Sequence, residues 1–177
     1  GDGLDNCSFG NAGFFSPSHM IPLASPGIIS QGLKWMTNPE SPFYIKPSLN
    51  ADLIKWCWHF YRASNKKTVE RAIPLLNQML TDSRHLIEEI LADTKIDPGF
   101  GEKGMLMYCK SQHVLNEEAE MAEIARKCGQ DVDVLSNAQA EKINPGFKID
   151  TAGAVHFKND AWLTPKAAVN VGSSCEM

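Results

Sequence analysis

Between Cys7 and His19 the chain reads C-S-F-G-N-A-G-F-F-S-P-S-H, small and polar residues set around paired phenylalanines. Gly10, Ala12 and Gly13 carry almost no side-chain bulk, so backbone there can lie close to a flat or phosphorylated ligand. An ordinary surface turn has the same composition, and the residues alone leave both readings open. A second glycine run, Gly99-Phe100-Gly101-Glu102-Lys103-Gly104, satisfies G-x-G-x-x-G letter by letter. A dinucleotide fingerprint needs a strand before it and a helix N-terminus after it, so that the helix dipole meets the pyrophosphate. Here Asp97-Pro98 precedes it, and the apolar run Met105 to Tyr108 that follows reads as a strand. This second run is therefore a turn entering a strand.

The remaining reactive residue types form no set. Five cysteines, Cys7, Cys57, Cys109, Cys128 and Cys175, show no C-x-x-C, and no pair of histidines has ligand spacing, which argues against a zinc site. Reduced thiols in a cytoplasmic setting are the simplest reading. His59, His85, His113 and His156 are assigned to packing or surface, and no catalytic acid or base stands out by spacing.

These residues need a scaffold, and 177 residues with 43% hydrophobic and 21% charged content can supply one sizeable core. A formal net charge of -4 argues against sequence-independent nucleic-acid binding. No run approaches the ~18 apolar residues of a transmembrane helix, and the first residues lack the layout of a signal peptide.

Along the chain, Ser25-Pro26 opens a short helix, and Pro39, Pro42 and Pro47 mark a loop that carries Tyr44. Asn50 caps a helix over 51–63 whose apolar residues cover more than one face, so it is expected to pack on two sides with Trp56 and Trp58 in the core. A helical period from about Lys66 to Ala92 contains Pro74, expected to kink or restart it, and Arg84, Glu88 and Glu89 read as its solvated side. Ser111 caps a helix reaching about Cys128, with Gly129 as its stop and Val114, Leu115, Ala119, Ala122, Ile124 and Ala125 facing inward. A strand at 132–135, a capping box Ser136-Asn137-Ala138-Gln139, a strand at 151–157 and a helix opening at Thr164-Pro165 complete the order. Helices and strands alternate without the βαβ rhythm of a doubly wound fold, so the fold class is α+β: a small, largely antiparallel sheet covered by helices.

The segment Ser8-Phe9-Gly10-Asn11-Ala12-Gly13, followed by Ser16-Pro17, resembles the flavin-contacting loop of FAD-dependent D-amino acid dehydrogenases, members of the wider D-amino acid, glycine and sarcosine oxidoreductase family. Gln31-Gly32-Leu33-Lys34-Trp35-Met36, Asn38-Pro39-Glu40-Ser41-Pro42-Phe43, Gly153 to Phe157 and Asp160 to Pro165 follow in that family's order, so the resemblance covers nearly the whole chain. It implies the substrate-domain portion of a D-amino acid oxidase-like flavoprotein, an internal fragment without the N-terminal dinucleotide-binding motif and the C-terminal half. Residues 1–24 would be the flavin-contacting region of the FAD domain, 25–168 the substrate domain and 169–177 an irregular tail.

The resemblance also implies chemistry. The complete enzyme would oxidise a D-amino acid with FAD, giving a 2-oxo acid and ammonia after hydrolysis, and a quinone or respiratory-chain acceptor would take the electrons. A cytoplasmic place, peripheral to the inner membrane, suits that acceptor. Ser8, Asn11, Ala12 and Gly13 are the positions placed against FAD, with His19 and Tyr44 as substrate-pocket candidates. Glycine, sarcosine and D-proline stay open as substrates. An isolated chain is expected to bind FAD weakly and to self-associate through an uncovered apolar face. The competing reading is a folded interaction module without chemistry of its own.

Overall fold

The structure is a computed structural model and describes residues 7, 10–30, 32, 50–94, 97–146 and 149–168. Its elements run in the order β1 (Phe14–Phe15), α1 (Ala51–Ala63), α2 (Lys66–Thr94), β2 (Met105–Cys109), α3 (Gln112–Lys127), β3 (Val132–Leu135), α4 (Asn137–Ile143), β4 (Gly153–Phe157) and β5 (Ala161–Trp162). The chain divides into two units, residues 1–18 with 79–177, and residues 19–78.

The first unit is built on a three-stranded antiparallel sheet in the order β2-β4-β3, with Met107 and Val134 both opposite Val155. Paired residues share a face, so Cys109, Gly153, Val155, Phe157 and Val132 line one side. Helix α3 packs there because Gly153 has no side chain: a Cβ would stand 2.8 Å from a Leu115 methyl and 2.6 Å from the Leu135 carbonyl oxygen. Leu115, Ala122 and Ala125 of α3 are buried with Cys109, Val155 and Phe157. Each large side chain so buried contributes about 1.5–3 kcal/mol. Val114, expected to face inward, is 39% exposed, since it lies one position round the helix from Leu115.

Local chemistry sets the ends of these elements. The Ser111 hydroxyl accepts from the Val114 N–H at 3.3 Å, and Gly129 leaves α3 at φ +87°. The Gln139 Oε1 accepts from the Ser136 backbone N–H at 2.9 Å, half of the capping box that starts α4. Among the described residues, two small antiparallel sheets and helices packed on the larger one give the α+β architecture.

In the second unit, Asn50 caps α1 by accepting from Asp52 N–H at 2.7 Å, and Asn65 caps α2 by accepting from Thr68 N–H at 3.0 Å. Two expectations change here. No residue of α1 is buried: Trp56 and Trp58 are 49% and 57% exposed, so amphipathic pattern named the apolar faces but not what covers them. Trp56 stacks instead on Phe60 within the same helix, ring centroids 5.1 Å apart. Helix α2, whose residues from Met79 on belong to the first unit, runs 29 residues through Pro74 without a restart, so the missing donor costs one helical hydrogen bond.

Candidate functional site

Residues 13–18 are held against the segment from Asp160 to Pro165. Phe14 pairs with Trp162 and Phe15 with Ala161 in the two-stranded β1-β5 ribbon. Just before it, the Leu163 N–H donates to the Gly13 carbonyl at 2.9 Å. Just after it, both oxygens of the Asp160 carboxylate accept from Ser18, from its N–H at 3.2 Å and its hydroxyl at 2.7 Å. Both sides of the bend are thus tied to one six-residue floor.

The floor is held in turn. Trp162 exchanges backbone hydrogen bonds with Gly101, at 2.8 and 3.0 Å, and Thr164 N–H donates to the Pro98 carbonyl at 2.8 Å. The second glycine run therefore enters β2 as expected, and its glycines accommodate neighbouring residues of the same unit. A Cβ on Gly101 would fall 2.2 Å from the Trp162 ring, and one on Gly104 would fall 2.6 Å from the Phe157 carbonyl oxygen. From α2, Arg84 donates to the Asn159 carbonyl and pairs with Glu88 at 2.7 Å and Glu102 at 3.0 Å. Arg84 is only 16% exposed, so the face read from sequence as solvated is partly packed. Burial pushes the Glu88 carboxyl up, but the hydrogen bonds and charges of Arg84 and His85 outweigh it and hold it below its ordinary value.

Between loop and floor lies an open groove of about 280 Å³, lined by Asn11, Gly13, Phe14, Phe15, Ile87, Leu163, Pro165 and Ala168. Of the residues singled out in the sequence, Asn11 and Gly13 line it, and Ala12 is exposed beside them. His19 is exposed and opens the other unit. Ser8 and Tyr44 lie outside the described residues. The Asn11 carboxamide shapes the bend: its Oδ1 accepts from Gly13 N–H at 2.7 Å and its Nδ2 donates to the Cys7 carbonyl at 3.3 Å. Gly13 has φ +67°, and a Cβ there would stand 2.0 Å from the Leu163 carbonyl oxygen, so its smallness serves the ribbon. Gly10 differs, because nothing stands within 4 Å of where its Cβ would be.

Sequence reasoning missed Asp160 and Arg84 as determinants of this site. The only signal was Asp160 opening the Asp160 to Pro165 segment, and its partner Ser18 lies 142 positions away.

A flat ring with apolar faces and polar edges fits this arrangement. The walls are mainly apolar, with Asn11 among them, and Gly10 and Ala12 are exposed. At about 280 Å³ the groove falls just below the ~300–1,000 Å³ range of ligand pockets, room for a ring system and too small for a whole dinucleotide.

A family model described as DAO, FAD dependent oxidoreductase, matches residues 1–171. The D-amino acid dehydrogenase of Granulibacter bethesdensis is 29% identical over 150 residues, 84% of this chain and 35% of that protein. The D-amino acid dehydrogenase of Helicobacter pylori is 27% identical over 166 residues, 93% of this chain and 39% of that protein. Among solved structures, the glycine oxidase of Geobacillus kaustophilus matches 97% of this chain and 35% of its own, with a TM-score of 0.54 at 16% identity, a likeness of fold. The chain spans 35–39% of the length of these two curated relatives. Among the described residues no helix is long and apolar enough to cross a membrane.

Proposed function

The chain belongs to the FAD-dependent oxidoreductase family, and from that premise we propose that the complete protein is a D-amino acid dehydrogenase to which this chain contributes a flavin-facing loop and part of the substrate domain. FAD is the family's cofactor, and when bound it supplies the acceptor for the hydride leaving the substrate α-carbon. In this reading residues 1–24 belong to the cofactor side and 25–168 to the substrate side. The observation that carries it is the bend at Gly10–Gly13, open on one side and tied down by the Asp160–Pro165 floor on the other. Preorganised backbone of this kind orients a flat ring without paying ordering entropy at each binding event.

Asn11, Ala12, Gly13 and the neighbouring Ser8 are the positions proposed against FAD, with His19 and Tyr44 proposed for the substrate pocket. The role of this stretch is to hold and orient, and to keep water from one face of the ring with Phe14 and Phe15. The names of the curated relatives support a D-amino acid as substrate. The imino acid formed would hydrolyse to a 2-oxo acid and ammonia, and the electrons would pass to a quinone or respiratory-chain acceptor. To test this, the complete protein containing this chain is purified, scanned for flavin absorbance, and assayed for D-alanine-dependent dye reduction. A flavin spectrum and turnover of D-alanine or another D-amino acid are expected. A colourless protein inert to every D-amino acid would overturn the reading, and turnover of glycine or sarcosine alone would move it to the glycine oxidase branch.

A further inference from the structure

We propose that Asp160 is a positioning residue for the flavin-facing loop, acting through Ser18. The inference rests on the reading of that loop given above. Asp160 is 1% exposed, yet its side chain is a carboxylate. Burying such a group is costly unless both oxygens find donors, and an apolar residue of similar size would serve packing at least as well. A buried carboxylate therefore earns explanation by the geometry it enforces. Here Oδ1 takes the Ser18 N–H at 3.2 Å and Oδ2 takes the Ser18 hydroxyl at 2.7 Å, a two-point hold that fixes the direction as well as the place of its partner.

What is held matters for the groove. The bend is fastened upstream by the Leu163 to Gly13 hydrogen bond and the Phe14–Trp162 pair. Downstream of the Phe15–Ala161 pair, the Asp160–Ser18 hold ties Ser18 to the floor. The Asp160 end is itself rigid: its own N–H donates to the Phe157 carbonyl at 3.3 Å, and Arg84 of α2 grips the adjoining Asn159 carbonyl. Loss of the Asp160 carboxylate removes this hold on the stretch that leaves Phe15, a wall of the groove.

The test uses the complete protein in four forms: wild type, Asp160→Ala, Asp160→Asn and Ser18→Ala. FAD affinity is measured by titrating the apoprotein, the bound flavin's absorption spectrum is recorded, and folding is followed by circular dichroism. Asp160→Ala is expected to raise the FAD dissociation constant about tenfold, as for a loop in its binding form in roughly one molecule in ten, and to shift the flavin absorption band. Ser18→Ala should do the same to a smaller degree. Asp160→Asn should restore most of the affinity and the wild-type spectrum, because its oxygen can accept from the Ser18 N–H while its amide donates to the hydroxyl. Folded Asp160→Ala and Ser18→Ala proteins with wild-type affinity and spectrum would overturn the proposal, as would Asp160→Asn binding no better than Asp160→Ala. If Asp160→Ala does not fold, Ser18→Ala decides by the same two readouts. A wild-type protein that takes up no FAD would overturn the functional reading as well, whereas a flavin-loaded wild type with indifferent variants overturns this proposal alone.

Discussion

Two glycine-rich bends flank the same six residues, and they use their glycines in opposite ways. At 99–104 the space a side chain would take is occupied by the first unit's own atoms: the Trp162 ring at Gly101, and the Phe157 carbonyl and His156 ring at Gly104. At 10–13 the usage is split. Gly13 is filled from inside by the Leu163 carbonyl, while Gly10 faces open space. A glycine's role is thus read from what its missing Cβ would meet, and the run that matches the dinucleotide pattern by letter is the one whose glycines serve internal packing.

That contrast can be broken by substitution, most severely at Gly13. Gly13→Ala combines a left-handed backbone with a clash against backbone that cannot yield, so it should destabilise the protein by roughly 3 kcal/mol or more, read from the urea midpoint. A midpoint equal to wild type would mean the β1-β5 ribbon is not fastened as described. Gly101→Ala meets a side chain that can move, and the expected loss is about 2 kcal/mol with a change in Trp162 fluorescence. Unchanged fluorescence would show that the ring does not cover Gly101.

Gly10→Leu sharpens the comparison from the other side. Stability should stay within about 0.5 kcal/mol of wild type, while FAD binding to the complete protein weakens at least about tenfold, ~1.4 kcal/mol. Loss of stability with intact binding would reverse the roles assigned to the two bends.

Much of the scaffold was legible because its signals are local. Ser111 and Gly129 bracket α3, Ser136 and Gln139 start α4, and the glycine run leads into β2, each through chemistry within a few residues. The floor of the site was not legible for the opposite reason. Strands as short as Phe14–Phe15 and Ala161–Trp162 have no period to detect, and the pairing of Ser18 with Asp160 spans 142 positions. The aromatic residues of α1 were misassigned because periodicity reports which faces are apolar and is silent on what lies against them. Arg84 and Glu88 looked like a wet helix face for want of any sign that Asn159 would approach.

The smallest expected effect belongs to that last pair. Glu88 is held below its ordinary value, so its contribution is fully present above that value and is lost as pH falls through the folded value. Denaturant midpoints from pH 7 downward should show a small acid-dependent loss, well under ~1 kcal/mol, that Glu88→Gln lacks. Parallel pH profiles for the two proteins would remove the pair from the account.

The claim on which the others depend is that the Gly10–Gly13 backbone lies against the flavin ring. A crystal structure of the complete protein with FAD bound measures this directly. The account predicts ring atoms within about 4.5 Å of the Asn11, Ala12 or Gly13 backbone. A ring lodged elsewhere, with only solvent over that open side, would contradict it.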